Sequence, residues 1–247
     1  MNTYRYQRTA GWIAAGLTIC HSLCAQSGFR PSVNREEVSL TVTLQELQHI
    51  VPKKAQAEME KAQRARLKHK PEEEIVHLKR AVRIDPEYIA ARNNLGICLM
   101  SVDPAFAVAE WEEAIKVNPR KGVLFNNLAV GYSALDRLPA AERAARTAMV
   151  LDKTSDRARA LLGLILFDQQ KYTSETLALL ERSSRSYSVA HVYAARVLVK
   201  LGEFRKAKTH IQAYLSSGEV EYREDATELL GFIDRADQTT RLSPDRF

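Results

Sequence analysis

The 247 residues hold only three cysteines, ten glycines and eight prolines. Cys20 and Cys24 fall in a stretch that reads as a leader, so Cys98 stands alone behind it and no disulfide can form within the remaining chain. Flanked by Ile97 and Leu99, Cys98 is expected as a buried structural thiol and not as a nucleophile. The low glycine and proline content excludes a fibrous or low-complexity chain. Charge of one sign is also scarce: 36 basic against 30 acidic residues give +6, which falls to +4 without Arg5 and Arg8 of the leader. These charges are interspersed along helical faces. The densest basic block, 61–70, carries Arg64, Arg66, Lys68 and Lys70 with no aromatic residue to stack on a base, which excludes a nucleic-acid surface.

Catalytic spacings are missing as well. No glycine-rich phosphate loop and no nucleophile elbow occur, and no catalytic residue, cofactor or metal is expected. His69 and His77 flank a turn, and His191 and His210 lie on different helices of one repeat. Neither pair has a third ligand at a recognisable spacing, so these read as surface or interface histidines. Glu72, Glu73 and Glu74 follow Pro71 in the first turn of a helix, where carboxylates meet the helix dipole favourably.

What the chain does have is a period. Arg92-x-x-Leu95-Gly96-x-x-Leu99 precedes Ala107-x-x-x-Trp111-x-x-Ala114 and Pro119, and Phe125-x-x-Leu128-Ala129-x-x-Tyr132 precedes Ala141-x-x-x-Ala145-x-x-Ala148. Gly96, Ala129, Gly163 and Ala195 recur at intervals of 33, 34 and 32 residues. Apolar residues three and four apart make one helical face, and the small residues fall where two antiparallel helices must approach closely. So short a helix pair cannot bury its own apolar face but can do so against a copy of itself. Asp85-Pro86 and Asn118-Pro119 end the second helices, because proline disfavours helix in the residue before it.

The pattern resembles the tetratricopeptide repeat. The resemblance implies an all-α, right-handed solenoid of helix-turn-helix repeats, with an N-terminal arm and a C-terminal capping helix. About five repeats cover 55–221. The fit is weakest in the first, where Glu58, Lys61, Ala62 and Ala65 stand at places usually large apolar, Leu, Gly and Tyr. Around the repeats, 26–54 reads as a linker, arm and cap. Within it 38–44 alternates as a strand would, and Leu44, Leu47 and Ile50 share a short helical face closed by Pro52. The arm either covers the first repeat's apolar edge or adds a strand to a partner. Residues 222–237 place Ala226, Leu229, Leu230 and Ile233 on one face of a capping helix, and 238–247 form a tail.

Residues 1–25 have a basic start, an apolar stretch from Thr9 to Leu23 and small residues at Cys24-Ala25. They read as a secretory signal cleaved after Ala25, since the apolar run is shorter than the about 20 residues a membrane span needs. Retention as an anchor and lipidation are the alternatives. No stable span is expected after removal. The phrase Leu47-x-x-Ile50-x-Pro52-x-x-Ala55, leading into the repeats, is similar to those of exported repeat proteins in some Gram-negative bacteria, which implies a periplasmic or envelope location.

The resemblance also locates a binding surface. Asn93 and Asn94 share equivalent places with Asn126 and Asn127 on adjacent first helices, where an asparagine ladder in long superhelices of this kind holds peptide backbone. Glu60, Leu161 and Tyr193 take the matching places elsewhere, so the ladder has two rungs, and asparagine is equally at home there as scaffold. Met59, Gln63 and Val123 replace the residues of the carboxylate clamp that grips chaperone tails. The expected inner surface mixes Ile97, Met100, Val130, Leu164, Phe167, Val189, Val192 and Val199 with Arg157, Arg196 and Lys200. A non-enzymatic scaffold that binds a protein or peptide follows from this resemblance, with oligomeric state left open. An envelope assembly factor and a regulator sensing a small ligand are the rival readings.

Overall fold

The computed structural model describes residues 49–242, with side chains to 237; the leader, the expected strand at 38–44, Leu44, Leu47 and the last five residues lie outside them. Among the described residues there are eleven helices and no strand. In order these are α1 (Lys53–Leu67), α2 (Pro71–Ile84), α3 (Ile89–Leu99), α4 (Pro104–Val117), α5 (Gly122–Ala134), α6 (Leu138–Leu151), α7 (Asp156–Asp168), α8 (Ser174–Ser183), α9 (Val189–Lys200), α10 (Phe204–Ser216) and α11 (Arg223–Leu242). Helices α1 to α10 pair as five hairpins. The residues through Leu151 form one compact unit and those from Asp152 a second.

The helix ends follow local chemistry. Pro71 and Pro104 occupy the first helical positions of α2 and α4, where a missing N–H costs nothing. The Asp103 carboxylate accepts from the backbone N–H groups of Ala105 and Phe106, and Ser155 and Thr173 cap α7 and α8 in the same way. Asp85 and Asn118, each before a proline, are extended at ψ 93° and 95°. Ile50, expected on a short helix, instead lies outside any helix and is 86% exposed, because the helix starts only after Pro52.

In the first unit the close approaches converge on Trp111 of α4, which is 1% exposed. A Cβ added at Gly96 of α3 would lie 2.5 Å from its Nε1, and one at Gly131 of α5 would lie 3.0 Å from its Cζ3 and 2.6 Å from Val108 Cγ2. The indole therefore fills the space that two glycines on neighbouring helices leave open. Cys98 is only partly buried, contrary to expectation, because α3 turns Leu95, Gly96 and Leu99 inward and leaves Cys98 on the flank.

The first hairpin compensates for its missing large residues with ions. Glu58 of α1 is 9% exposed and accepts from Lys61 Nζ at 2.6 Å, and it meets His77 Nδ1 of α2 at 2.8 Å. Arg66 of α1 donates to the buried Glu74 of α2 at 2.6 Å. Elsewhere on α1, Lys53, Lys54, Gln56, Glu60, Gln63 and Arg64 are exposed, and so is Leu67, at 80%. The arm and cap expected before the first repeat lie, up to residue 48, outside the described residues.

In the second unit Val192, Ala195 and Leu198 of α9 pack with Ala207, Ile211 and Tyr214 of α10 and with Ala226 and Ile233 of α11. The Tyr214 hydroxyl accepts from the Tyr222 backbone N–H at 2.9 Å and so fixes the start of α11. Leu229 and Leu230 pack against the same cluster, as the face of a terminal capping helix should.

Two expectations follow. Alanine in place of an interior helical glycine ordinarily gains about 1 kcal/mol, but Gly96→Ala drives a methyl into the indole and should cost about 1–3 kcal/mol through overpacking; urea unfolding at unchanged m-value measures it. The Glu58 carboxyl is held well below its ordinary 4.5, at about 2, first by the Lys61 hydrogen bond and then by that of His77. A lowered folded-state value stabilises above the ordinary one and is lost as pH falls towards the folded one. The stability difference between wild type and Glu58→Gln should therefore shrink between about pH 6 and about pH 3. A constant difference would mean the ion cluster is absent.

Candidate functional site

The first helix of each hairpin carries the candidate ligand-facing residues. In the first unit, Trp111 Nε1 donates to the Asn93 backbone carbonyl at 3.2 Å, which fixes the stretch of α3 that bears Asn93 and Asn94. Arg92 next to them donates from Nη1 to Glu110 of α4 at 2.7 Å and from Nε to the Pro86 carbonyl at 2.6 Å. Asn127 Nδ2 of α5 donates to Asn93 Oδ1 at 2.8 Å. Asn94 turns its Nδ2 back towards the Met59 sulfur of α1 at 3.9 Å, a weak contact. One amide pair thus links α5 to α3, and a separate weak contact links α3 to α1.

Burial separates the four. Asn126 and Asn127 are 6% and 4% exposed, whereas Asn93 and Asn94 are partly open. Asn126 Oδ1 is buried with no hydrogen-bond partner. The two α5 amides are accordingly packed between elements, and the polar edges a ligand can reach are those of Asn93 and Asn94. Met100 and Val130, expected on the inner surface, are buried at 5% each because they pack into the interior of the stack.

In the second unit the place matching the asparagines holds Tyr193, and a row of aromatic rings runs from it. Phe167 of α7 meets Tyr172 edge-on at 5.4 Å and Tyr193 of α9 at 5.2 Å, and Tyr193 meets Tyr222 at 6.5 Å. Burial pushes the Tyr193 phenol up to about 12. The Arg196 guanidinium lies 5.5 Å over the Tyr193 ring and pairs with Asp225 of α11 at 3.1 Å. Both groups stay partly exposed, so the arginine is held in place without being removed from solvent. Arg157 sits partly buried at the start of α7, near Tyr187, whose phenol is pushed up by burial and drawn down by that arginine. Leu164 and Val192, expected to be accessible, are 7% and 0% exposed. The six candidate residues thus divide four and two between the units.

Sequence reasoning missed this row, since its members come from a first helix, a turn, the next first helix and the cap.

No protein-family model and no curated protein sequence matches the chain. Solved structures do. A MamA fragment from Desulfovibrio magneticus RS-1 superposes with a TM-score of 0.62 at 17% identity over 69% of this chain and 100% of that one. Pseudomonas aeruginosa pilF gives 0.61 at 19% identity over 78% and 93%. YrrB, described as a TPR protein with an unusual peptide-binding site, gives 0.55 at 17% identity over 66% and 85%. The fold is that of the tetratricopeptide-repeat solenoid.

If the amide pair is scaffold, its donor matters more than Asn94 beside it. Asn127→Ala leaves Asn93 Oδ1 without its donor and should cost about 1–3 kcal/mol, while Asn94→Ala should stay within about 0.5 kcal/mol. Urea midpoints of the two variants compare them directly.

Proposed function

We propose that the chain is a non-enzymatic interaction module that binds an extended segment of a partner protein along the first-helix layer of its repeats, and that it works after export to the cell envelope. The observation that carries this reading is the set orientation of the accessible asparagines: Asn93 is held by Trp111 and Asn127, with Asn94 beside it on the same helix. A side-chain amide offers one donor and one acceptor side to a peptide backbone. Because the groups are preset, the ordering cost of binding falls mostly on the partner. Arg196, stacked and paired, supplies a charged contact in the second unit. One neighbour of this fold is described as having an unusual peptide-binding site, which supports peptide binding as a use of the fold. Among the described residues no helix is long and apolar enough to cross a membrane.

The test is a crosslinking pull-down of the tagged chain from its native envelope, with the double variant Asn93→Ala/Asn94→Ala and the single variant Arg196→Glu beside it. The specific partner should be lost with the double variant and weakened with Arg196→Glu. Retention by both variants would move binding off the first-helix layer and end this reading. Mass spectrometry of the same material should find the chain starting after Ala25, and an intact Met1 would sink the export signal.

A further inference from the structure

His191 of α9 and His210 of α10 meet across the last hairpin with Nδ1 facing Nδ1 at 2.9 Å. Their ring centroids are 5.2 Å apart, as far as that distance and the two ring radii allow, so both nitrogens lie close to the line joining the rings. A chelated ion would need the two lone pairs to converge off that line. Among the described residues no group of three candidate ligands could hold a metal. The arrangement suits one proton on the axis, donated by one imidazole and accepted by the other.

The surrounding charges decide where a first extra proton goes. Glu181 of α8 lies 3.4 Å from His210 Nε2 and favours N–H at that atom. Other charged groups on the packed elements are engaged elsewhere: Arg159 of α7 with Asp156, Arg196 with Asp225, Lys206 with Glu203, Lys208 with Asp234 and Arg205 with Asp237. Arg182 of α8 and Lys200 of α9 are exposed to solvent.

We propose that His191 and His210 form a proton-operated latch between α9 and α10, closed while a single proton occupies the axis between their Nδ1 atoms and opened when both Nδ1 atoms are protonated. In the neutral pair His191 Nδ1–H donates to His210 Nδ1, and His210 Nε2–H faces Glu181. One added proton enters at His191 Nε2 while the axial proton passes to His210 Nδ1, so that His210 carries the charge, donating from Nδ1 to a neutral His191 and from Nε2 towards the carboxylate. A second proton puts two N–H groups head to head on one line with no acceptor, so the rings must part. Burial, and then the neighbouring His210, hold His191 below its ordinary 6.5. A histidine with a lowered folded-state value takes up more protons when the contact opens, so closure is stable above that ordinary value and weakens as pH falls below it. Opening would loosen α9, which carries Tyr193 and Arg196.

Hydrogen exchange of the full chain, corrected for the intrinsic pH dependence, reads the latch segment by segment. From about pH 7.5 to about pH 5.5 the amides of α9 and α10 should lose protection by roughly tenfold, the ratio that one unit below an ordinary imidazole value supplies, while α3 to α5 hold theirs. The double variant His191→Gln/His210→Gln keeps hydrogen-bonding groups and removes both titrations, so its α9 and α10 protection should not change over that interval. No change in the wild type, or the same change in the variant, overturns the proposal. Should the variant fail to fold, imidazole nitrogen chemical shifts of the wild type decide. Two coupled steps, the lower accompanied by shifts in α9 and α10, support the latch, and two independent ordinary titrations refute it.

Discussion

The first unit depends on one indole. Trp111 fills the gap between Gly96 and Gly131 and donates to the Asn93 carbonyl, so a single side chain sets helix spacing, repeat stacking and the place of the accessible amides. Ridge-and-groove packing of helices tolerates several spacings, whereas a flat rigid ring bounded by glycines tolerates few. Tertiary packing of this kind, more than helix propensity, holds such short helices in register.

The second unit reaches the same end with different means. Its inner positions are aromatic and aliphatic, its Tyr214 hydroxyl anchors the terminal helix, and Arg196 rests on Tyr193. One repeat pattern therefore yields two chemically different surfaces. The pattern constrains the small and large apolar positions facing the partner helix, and leaves the remaining positions free to vary.

That division explains what could be read from the chain. The 33-residue rhythm, the proline-marked helix ends and the face of the last helix were legible, because each rests on residues close in sequence. Contacts between repeats were not. Asn127 donates to Asn93 across 34 positions, and nothing in either neighbourhood says which asparagine points sideways and which outward. Glu58 looked like a defect in the first repeat, yet it binds His77 across 19 positions. His191 and His210 were recognised as lying on paired helices, but their line of approach depends on helix rotation that spacing alone does not fix.

The polar side of α1 bears on how long such an array can be. A stack of similar units has no intrinsic length, since each added unit presents the next with the same apolar face. Here Lys53, Gln56, Glu60, Gln63 and Arg64 stand where that face would continue. Desolvating them costs free energy that the apolar contacts of a further hairpin have to offset. The exposed charges of one helix thus oppose further stacking on its side, although Leu67 of the same helix is 80% exposed.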